Sequence, residues 1–368
     1  MNSSLTWRIP PPFDQERDDW GAIVLAEWAE SVIERGQRVL IVGAGAGAVG
    51  LPLARKGAHV TFCDDNVVAL EAAQRTFAQA RREAEFRSSL ELHDQPDFDM
   101  ALLNILWWTD AARGRALIEL AARSVRPRGI IALAGGKNAG ITTAERDLKV
   151  LCGSISAPLY KKGHRVVVGL RPATLNTDHA EPQPRMIELP HGTLMLEQQA
   201  GIFADGGLDP ATAMLIEAIE LPTTGRVLDL GCGAGVLGMA LQLRQPNLSM
   251  TYVDANVIAT DTTRRNLELN HLQGRVLASD SIAAVADEQF DLVVTNPPFH
   301  VGRIKTQAIA EQFIRDAATL LAPNGSFWLV ANRFLRYEPA IEHAFGNVRE
   351  AAGDSKFKVL HAILGQRT

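Results

Sequence analysis

The strongest chemical signal in the sequence is Asn296-Pro297-Pro298-Phe299, which directly follows the apolar run Leu292 to Val294. An exocyclic amine on a heteroaromatic ring is a poor nucleophile because its lone pair is delocalised into the ring. An amide oxygen and a backbone carbonyl that accept its two hydrogens localise that pair as attack begins. Asn296 and Pro297 supply one such acceptor each. The two prolines hold the backbone extended, and Phe299 offers a face on which an extruded base can stack. The same four residues also make an ordinary turn with an anchoring aromatic, so alone they leave both meanings open. His300 need not act as a base, since an attacking amine can lose its proton after transfer; its expected part is to shape the pocket.

Upstream, Leu228-Asp229-Leu230-Gly231-Cys232-Gly233-Ala234-Gly235 carries the second signal. Glycines at 231, 233 and 235 between a strand and a helix permit a tight turn and a close approach of ligand to backbone. Dehydrogenases, flavoproteins and methyltransferases share such a turn, so the neighbours must decide. Asp254, at the end of the next apolar run, can accept hydrogen bonds from both hydroxyls of a ribose, which all these cofactors contain. Asp229 discriminates further. A carboxylate there repels a pyrophosphate and suits a cationic amino-acid moiety such as that of S-adenosylmethionine, unless it merely caps the following helix. Asp261, Asp280 and Asp291 form no ligand cluster, and methyl transfer needs no metal, so none is expected.

These residues need a scaffold that gathers them. Short apolar runs of strand length alternate with segments of helical spacing, as in Val227 to Leu230, Val236 to Leu243 and Met250 to Val253. That alternation predicts βαβ units and a doubly wound, mostly parallel sheet of Rossmann-like type. Ligands bind such sheets at the carboxyl ends of the strands, where the glycine turn, Asp254 and Asn296 would converge.

The pattern occurs twice. Arg38-Val39-Leu40-Ile41-Val42-Gly43-Ala44-Gly45-Ala46-Gly47-Ala48-Val49-Gly50 aligns with Arg226 to Gly238, with all four glycines coincident. Thr61 to Val67 aligns with Thr251 to Val257, and Phe98 to Asn104 with Phe290 to Asn296. Between the copies, Arg171 to Arg185 is polar, contains three prolines and lacks periodicity, as a linker would. Two domains follow from this duplication, residues 1–180 and 185–368. Taken alone, the first copy's GxGxxG with Asp64 about 20 residues on suggests a nicotinamide dinucleotide site. The duplication explains it better, because the first copy has lost the chemical groups: Ile41 stands where the second has Asp229, and Asn104-Ile105-Leu106-Trp107 stands where it has Asn296 to Phe299. Trp107 and Trp108 are expected to fill the vacated crevice, with stacking on RNA as the alternative.

The bulk composition sets limits on this reading. A chain of 368 residues exceeds one core of ordinary size, and 46% hydrophobic with 21% charged residues is the balance of a globular protein. No stretch resembles a membrane span or a signal peptide, so a cytoplasmic location is expected. Cys63, Cys152 and Cys232 are widely spaced, which gives neither a disulfide framework nor a zinc site. A net charge of −5 argues against whole-surface attraction to nucleic acid, but not against a local patch. Arg303, Lys305, Arg333, Arg336, Lys356 and Lys358 could form one, or could be scattered solvated charges.

With these motifs the chain resembles the class I S-adenosylmethionine methyltransferases, and within them the RsmC/RlmG-type ribosomal RNA guanine-N2 methyltransferases. The likeness covers almost the whole chain. It is carried by Val227 to Leu237, Asn296 to His300, Gly201-Ile202-Phe203 with Gly207-Leu208-Asp209, Lys356 to Val359, and above all the tandem plan. The resemblance implies methyl transfer to a guanine N2 in ribosomal RNA, small-subunit RNA being preferred over large. It implies a catalytic second domain and a degenerate first domain that engages RNA or serves as scaffold. It further implies that Asp280 binds the adenine amine and that Phe203 and Asp209 line the cofactor pocket, although a surface cap and a core aromatic are the plain alternatives. The expected partner is ribosomal RNA or a ribosomal subunit, with no membrane or metal and a monomeric chain. Adenine N6, cytosine N4 and a protein glutamine amide share the geometry of the target amine and remain alternatives, as does a non-catalytic RNA-binding assembly factor.

Overall fold

A computed structural model describes residues 19–92, 96–108, 110–175, 183–189, 191–202, 208–298, 300–301, 304–305 and 307–365. Phe203, Phe299, Arg303 and residues 176–182 of the expected linker therefore lie outside the described residues, as do the side chains of Trp107, His300 and Lys305. The chain forms two compact units. One is Met1–Ala180 with His300–Lys305, and the other is Glu181–Phe299 with Thr306–Thr368.

In the first unit, strands β1 (Arg38–Val42), β2 (His59–Cys63), β3 (Glu85–Arg87), β4 (Phe98–Asn104), β5 (Val125–Gly136), β6 (Ile155–Lys161) and β7 (His164–Leu170) form one sheet in the order β3-β2-β1-β4-β5-β7-β6. Its helices are α1 (Trp20–Val32), α2 (Gly50–Arg55), α3 (Val67–Gln79), α4 (Ala111–Ser124) and α5 (Ile141–Cys152).

The second unit opens with the hairpin β8 (Arg185–Leu189) and β9 (Gly192–Leu196). Its sheet is built from β10 (Gly225–Leu230), β11 (Leu248–Asp254), β12 (Arg275–Ala278), β13 (Phe290–Thr295), β16 (Leu321–Asn332), β17 (Arg349–Gly353) and β18 (Phe357–Ile363), whereas the short antiparallel pair β14 (His300–Val301) and β15 (Ile304–Lys305) falls in the segment grouped with the first unit. The order, β12-β11-β10-β13-β16-β18-β17, repeats that of the first unit strand for strand. In each sheet one strand, β7 or β18, runs antiparallel to both of its neighbours, and the remaining strands all point the same way. Helices α6 (Pro210–Ala218), α7 (Val236–Arg244), α8 (Val257–Leu269), α9 (Ala308–Leu320) and α10 (Glu338–Phe345) complete it. The doubly wound sheet expected from the sequence is thus present in both copies.

Why the central strands read as continuous apolar runs is visible in their packing. Val227, Leu292, Val294, Trp328 and Val330 face one core with α6 and α7, whereas Leu228, Leu230, Val293, Phe327 and Leu329 face another with α9 and α10. A strand covered by helices on both faces has no side left for polar residues. The last glycine of each repeat is a packing residue. A Cβ on Gly238 would lie 2.4 Å from the Tyr252 ring, and one on Gly50 2.5 Å from Phe62. Its absence lets α7, like α2, press its first turn onto the sheet.

Candidate active site

Strand β10 ends at Leu230 and the chain turns through Gly231, Gly233 and Gly235, with φ of 76°, 57° and 80°. Each is a left-handed conformation that a side chain would strain. The amides of Gly231 and Cys232 both donate to the Val253 carbonyl, at 2.8 and 3.0 Å, which fastens the turn to the end of β11. A Cβ on Gly233 would meet nothing within 4 Å, so this peptide borders open space. Cys232 is buried against Thr263, and burial raises its thiol well above the usual range, so it acts as a small packing group.

Asp254 is half-buried at the end of β11. Its Oδ2 accepts from Gly233 N at 2.9 Å and its Oδ1 from Asn256 N at 2.8 Å. Burial raises its pKa, and the amides of Asn256, Gly233 and Ala255 oppose the rise. Each oxygen keeps a further lone pair, a donor set that fits two ribose hydroxyls. Register places Ala278 of β12 beside Asp254, and Ser279 N donates to the Asp254 carbonyl at 2.9 Å, so Asp280 follows on the same sheet edge, half-buried.

Asp229 lies lower. Only 1% of it is exposed, and its Oδ2 accepts from Gly238 N at 2.9 Å in the first turn of α7. The helix-capping role left open by the sequence is therefore present. Burial pushes its pKa up to about 7, the Gly238 amide opposing and Asp254 adding to the rise. Among the described residues no cationic side chain forms an ion pair with it. A buried acid beneath a glycine turn, without a cation of its own, suits a ligand that brings one.

This shift has a measurable consequence. A folded-state pKa near 7 above the ordinary 3.8 means that the folded chain holds a proton the unfolded chain gives up, so stability is lost as pH rises from about 4 through about 7. Asp229→Asn keeps an acceptor for Gly238 and removes the titration. Its melting temperature relative to the wild type, without added ligand, should climb across that window and level off above it. A constant difference from pH 4 to 8 would show that Asp229 is ionised throughout.

Asn296 continues β13 one residue past Thr295, whose Oγ1 donates to the Leu230 carbonyl at 2.7 Å and fixes the strand end. The Asn296 amide nitrogen donates to Asp209 Oδ2 at 3.1 Å and to Thr212 Oγ1 at 2.9 Å. A carboxylate can only accept, so the NH2 must face it and Oδ1 must point the other way. Among the described residues nothing donates to that oxygen. Pro297 is buried and Pro298 exposed. Asp209, which the resemblance assigns to the cofactor pocket, spends its carboxylate on capping α6 through Thr212 N at 2.9 Å and on holding Asn296.

The first unit repeats this arrangement and closes it. Asn104 Nδ2 donates to Asp19 Oδ2 at 2.7 Å, as Asn296 does to Asp209, but its Oδ1 accepts from Leu106 N at 3.2 Å and the residue is 3% exposed. A Cβ on Gly21 would lie 2.6 Å from that oxygen. Asp64 accepts from Asn66 N as Asp254 does from Asn256 N, and from Ala44 N, one residue earlier in the turn than the Gly233 amide that Asp254 uses, yet α4 inserts Arg113, which is ion-paired to Asp65 and near enough to Asp64 to counter the rise that burial imposes on its pKa. Ile41, at the position of Asp229, is buried against Gly50. Trp108 is 6% exposed and packs on Gly114, in keeping with filling.

The sequence matches the methyltransferase small domain family twice, over residues 9–167 and 193–361. The chain belongs to the methyltransferase small domain family. Relatives named ribosomal RNA small subunit methyltransferase C are 35% identical over 250 residues in Shewanella amazonensis, covering 66% of this chain and 71% of the relative, and 35% identical over 247 residues in Pseudomonas aeruginosa, covering 67% and 74%. Among solved structures, the T. thermophilus 16S rRNA N2 methyltransferase RsmC in complex with AdoMet and guanosine is similar at a TM-score of 0.83 and 28% identity, over 97% of this chain and 94% of that one.

Within this methyltransferase fold, three positions carry site geometry that the sequence did not suggest. Thr263 Oγ1 donates to the Gly233 carbonyl at 2.8 Å, and Asn266 Nδ2 to the Ala234 carbonyl at 3.0 Å, so one face of α8 holds the glycine turn from behind. Asn266 also accepts from Glu197 N at 2.7 Å. Thr212 joins Asp209 in holding Asn296. Fully buried Thr263 and Asn266, three apart in an otherwise amphipathic helix, were the available signal. Among the described residues no group of three or more His, Cys, Asp or Glu is arranged to hold a metal ion.

Proposed function

We propose that the chain transfers a methyl group from S-adenosylmethionine to the exocyclic N2 amine of a guanine in small-subunit ribosomal RNA, with the second unit catalytic. The observation that carries this reading is the Asn296 amide, whose nitrogen is tethered to Asp209 and Thr212 and whose oxygen has no donor among the described residues, on the sheet edge that also carries Asp254. The small-subunit names of the relatives, and the guanosine and AdoMet in the T. thermophilus complex, support the choice of substrate and cofactor.

S-adenosylmethionine supplies an electrophilic methyl group on a sulfonium sulfur. In this chain, Asp254 accepts from the ribose hydroxyls, Asp280 receives the adenine amine, and the Gly231 to Gly235 turn leaves room for the ligand beside its backbone. Asp229 meets the added positive charge as a carboxylate. Its pKa near 7 then falls, so cofactor binding at pH 6.5 to 7 should release a proton from it. Asn296 Oδ1 and the Pro297 carbonyl accept the two N2 hydrogens and turn the nitrogen lone pair out of conjugation, toward the methyl group. Phe299 stacks on the guanine. The proton leaves after transfer, so no general base is required.

The first unit serves as scaffold and RNA-engaging surface, because its own crevice is closed by Arg113 and its Asn104 oxygen is taken. The enzyme acts as a monomer in the cytoplasm on ribosomal RNA or a ribosomal subunit. Among the described residues no helix is long and apolar enough to cross a membrane. Nucleoside mass spectrometry of small-subunit RNA from a strain lacking the protein should show one N2-methylguanosine lost and restored by the full chain. An unchanged level would sink the assignment.

A further inference from the structure

Beyond the base pocket, the carboxyl edge of the second sheet carries an aromatic side chain that the fold has no need to expose. Strand β16 lies beside β13, with Leu329 opposite Thr295, and runs three residues further before turning at Asn332 to Leu335. Leu335 N donates to the Asn332 carbonyl at 2.9 Å and closes this turn. Arg333 N donates to the Lys356 carbonyl at 2.8 Å, which pins the turn to the β17–β18 connection. Leu335 and Tyr337 are buried at 6% and 1% and anchor it from below. Phe334 is left 73% exposed on a backbone tied on both sides. Among the described residues of this unit it is the one aromatic among the exposed large apolar side chains. The equivalent turn in the first unit, Lys137 to Gly140, has no aromatic.

The charges around it are sorted. Arg333 is bound to Glu350 at 2.8 Å and to the Asp354 carbonyl, and Lys358 is paired with Glu338 at 2.5 Å. Asp354 turns its carboxylate to the backbone amides of Lys356 and Phe357. Arg336 and Lys356 are exposed and have no ion pair among the described residues. The acids of the turn are thus engaged, and two exposed cations remain near the outward aromatic in the chain fold: Arg336, two residues on, and Lys356, whose carbonyl holds Arg333 N and whose charge also helps keep the Asp354 pKa low. An exposed stacking face with exposed cations on the same turn and its tied connection matches single-stranded nucleic acid, which offers base planes and phosphates together. A protein partner would favour a broader apolar patch, which this edge lacks.

We propose that Phe334, with Arg336 and Lys356, forms a docking surface for single-stranded RNA that holds a nucleotide flanking the target guanine. The inference rests on the ribosomal RNA reading above. Stacking on Phe334 keeps the strand unpaired next to the pocket, and the two cations take its phosphates. Target selection in this unit then depends on an unstacked neighbour as well as on the guanine.

The test measures binding of a fluorescein-labelled single-stranded RNA decamer containing guanine, together with methylation of deproteinised small-subunit RNA. Phe334→Ala should weaken decamer binding and raise the RNA KM about tenfold, leaving the S-adenosylmethionine KM unchanged. Phe334→Trp should restore both. The double substitution Arg336→Gln with Lys356→Gln should lower the slope of log affinity against log salt by about 1. Unchanged decamer affinity in Phe334→Ala overturns the proposal, whether or not the wild type methylates RNA. So does a defect confined to intact subunits, which would assign the surface to a ribosomal protein, or a raised S-adenosylmethionine KM, which would make Phe334 structural. If the wild type methylates no RNA and Phe334→Ala still weakens the decamer, the function assigned above fails and this surface stands.

Discussion

Asn296→Ala is expected to lower kcat at least a hundredfold while leaving the S-adenosylmethionine KM within about threefold. Loss of one preorganised acceptor in a water-excluded site costs roughly 3 kcal/mol of transition-state stabilisation. The acceptor here is preorganised by its other end: Asp209 and Thr212 hold the amide nitrogen, so Oδ1 need not reorient when the amine arrives. Asp209→Ala provides the graded control. It leaves Asn296 in place but frees its amide to turn, which should cost about tenfold in kcat, and it removes the α6 cap, which should cost about 1 kcal/mol of stability. Neither substitution should move cofactor affinity. If Asn296→Ala raises the S-adenosylmethionine KM and spares turnover at saturation, the amide serves the cofactor and not the target amine. If Asp209→Ala does so, the cofactor-pocket role implied by the resemblance is the correct one.

The second large effect separates the two copies. Asp254→Ala should raise the S-adenosylmethionine KM about a hundredfold, because two hydrogen bonds to an ionised, half-buried carboxylate are worth about 1.5 kcal/mol each, the lower end of the range for charged groups. Part of that loss comes from the protein itself, since Gly233 N and Asn256 N lose their acceptor. Asp254→Asn, which retains one oxygen, should fall between. Asp64→Ala removes the corresponding acid of the first unit and should leave cofactor binding untouched, because Arg113 already occupies that neighbourhood and Ile41 replaces the lower carboxylate. Calorimetry should count one S-adenosylmethionine per chain. Two sites, or weakened binding in Asp64→Ala, would restore the first copy as a functional cofactor domain.

Much of this molecule could be read from the sequence because it rests on local rules. Strand-length apolar runs buried on both faces, glycines that sit in left-handed turns, and acids at strand ends have signatures within a few residues. Their duplication at matching spacing made the two sheets legible before any coordinates. The βαβ rule alone brought the Gly231 to Gly235 turn, Asp254 and Asn296 to one edge, since parallel strands with helical crossovers must end on the same side, whereas Asp280 came only from the family resemblance.

What the sequence left open was decided by contacts between residues far apart in the chain. Asn296 and Asn104 are the same residue at the same strand end, each tethered to an aspartate at the start of a preceding helix. Only the packed structure shows that one amide oxygen receives no donor among the described residues and the other is bonded to Leu106 and walled in by Gly21. Asp229 reads equally as a cap or a ligand group from its neighbours. The tertiary structure gives it the cap and, by burying it without a cation, the raised pKa as well. Arg113 in the first crevice, and Thr263 and Asn266 behind the glycine turn, lie about 30 to 50 residues in sequence from the groups they touch there, so no local pattern names their partners. Hydrogen-bond occupancy and desolvation depend on which distant side chains arrive at a site, so the sequence determined where this chemistry is placed, and packing decided which copy keeps it available.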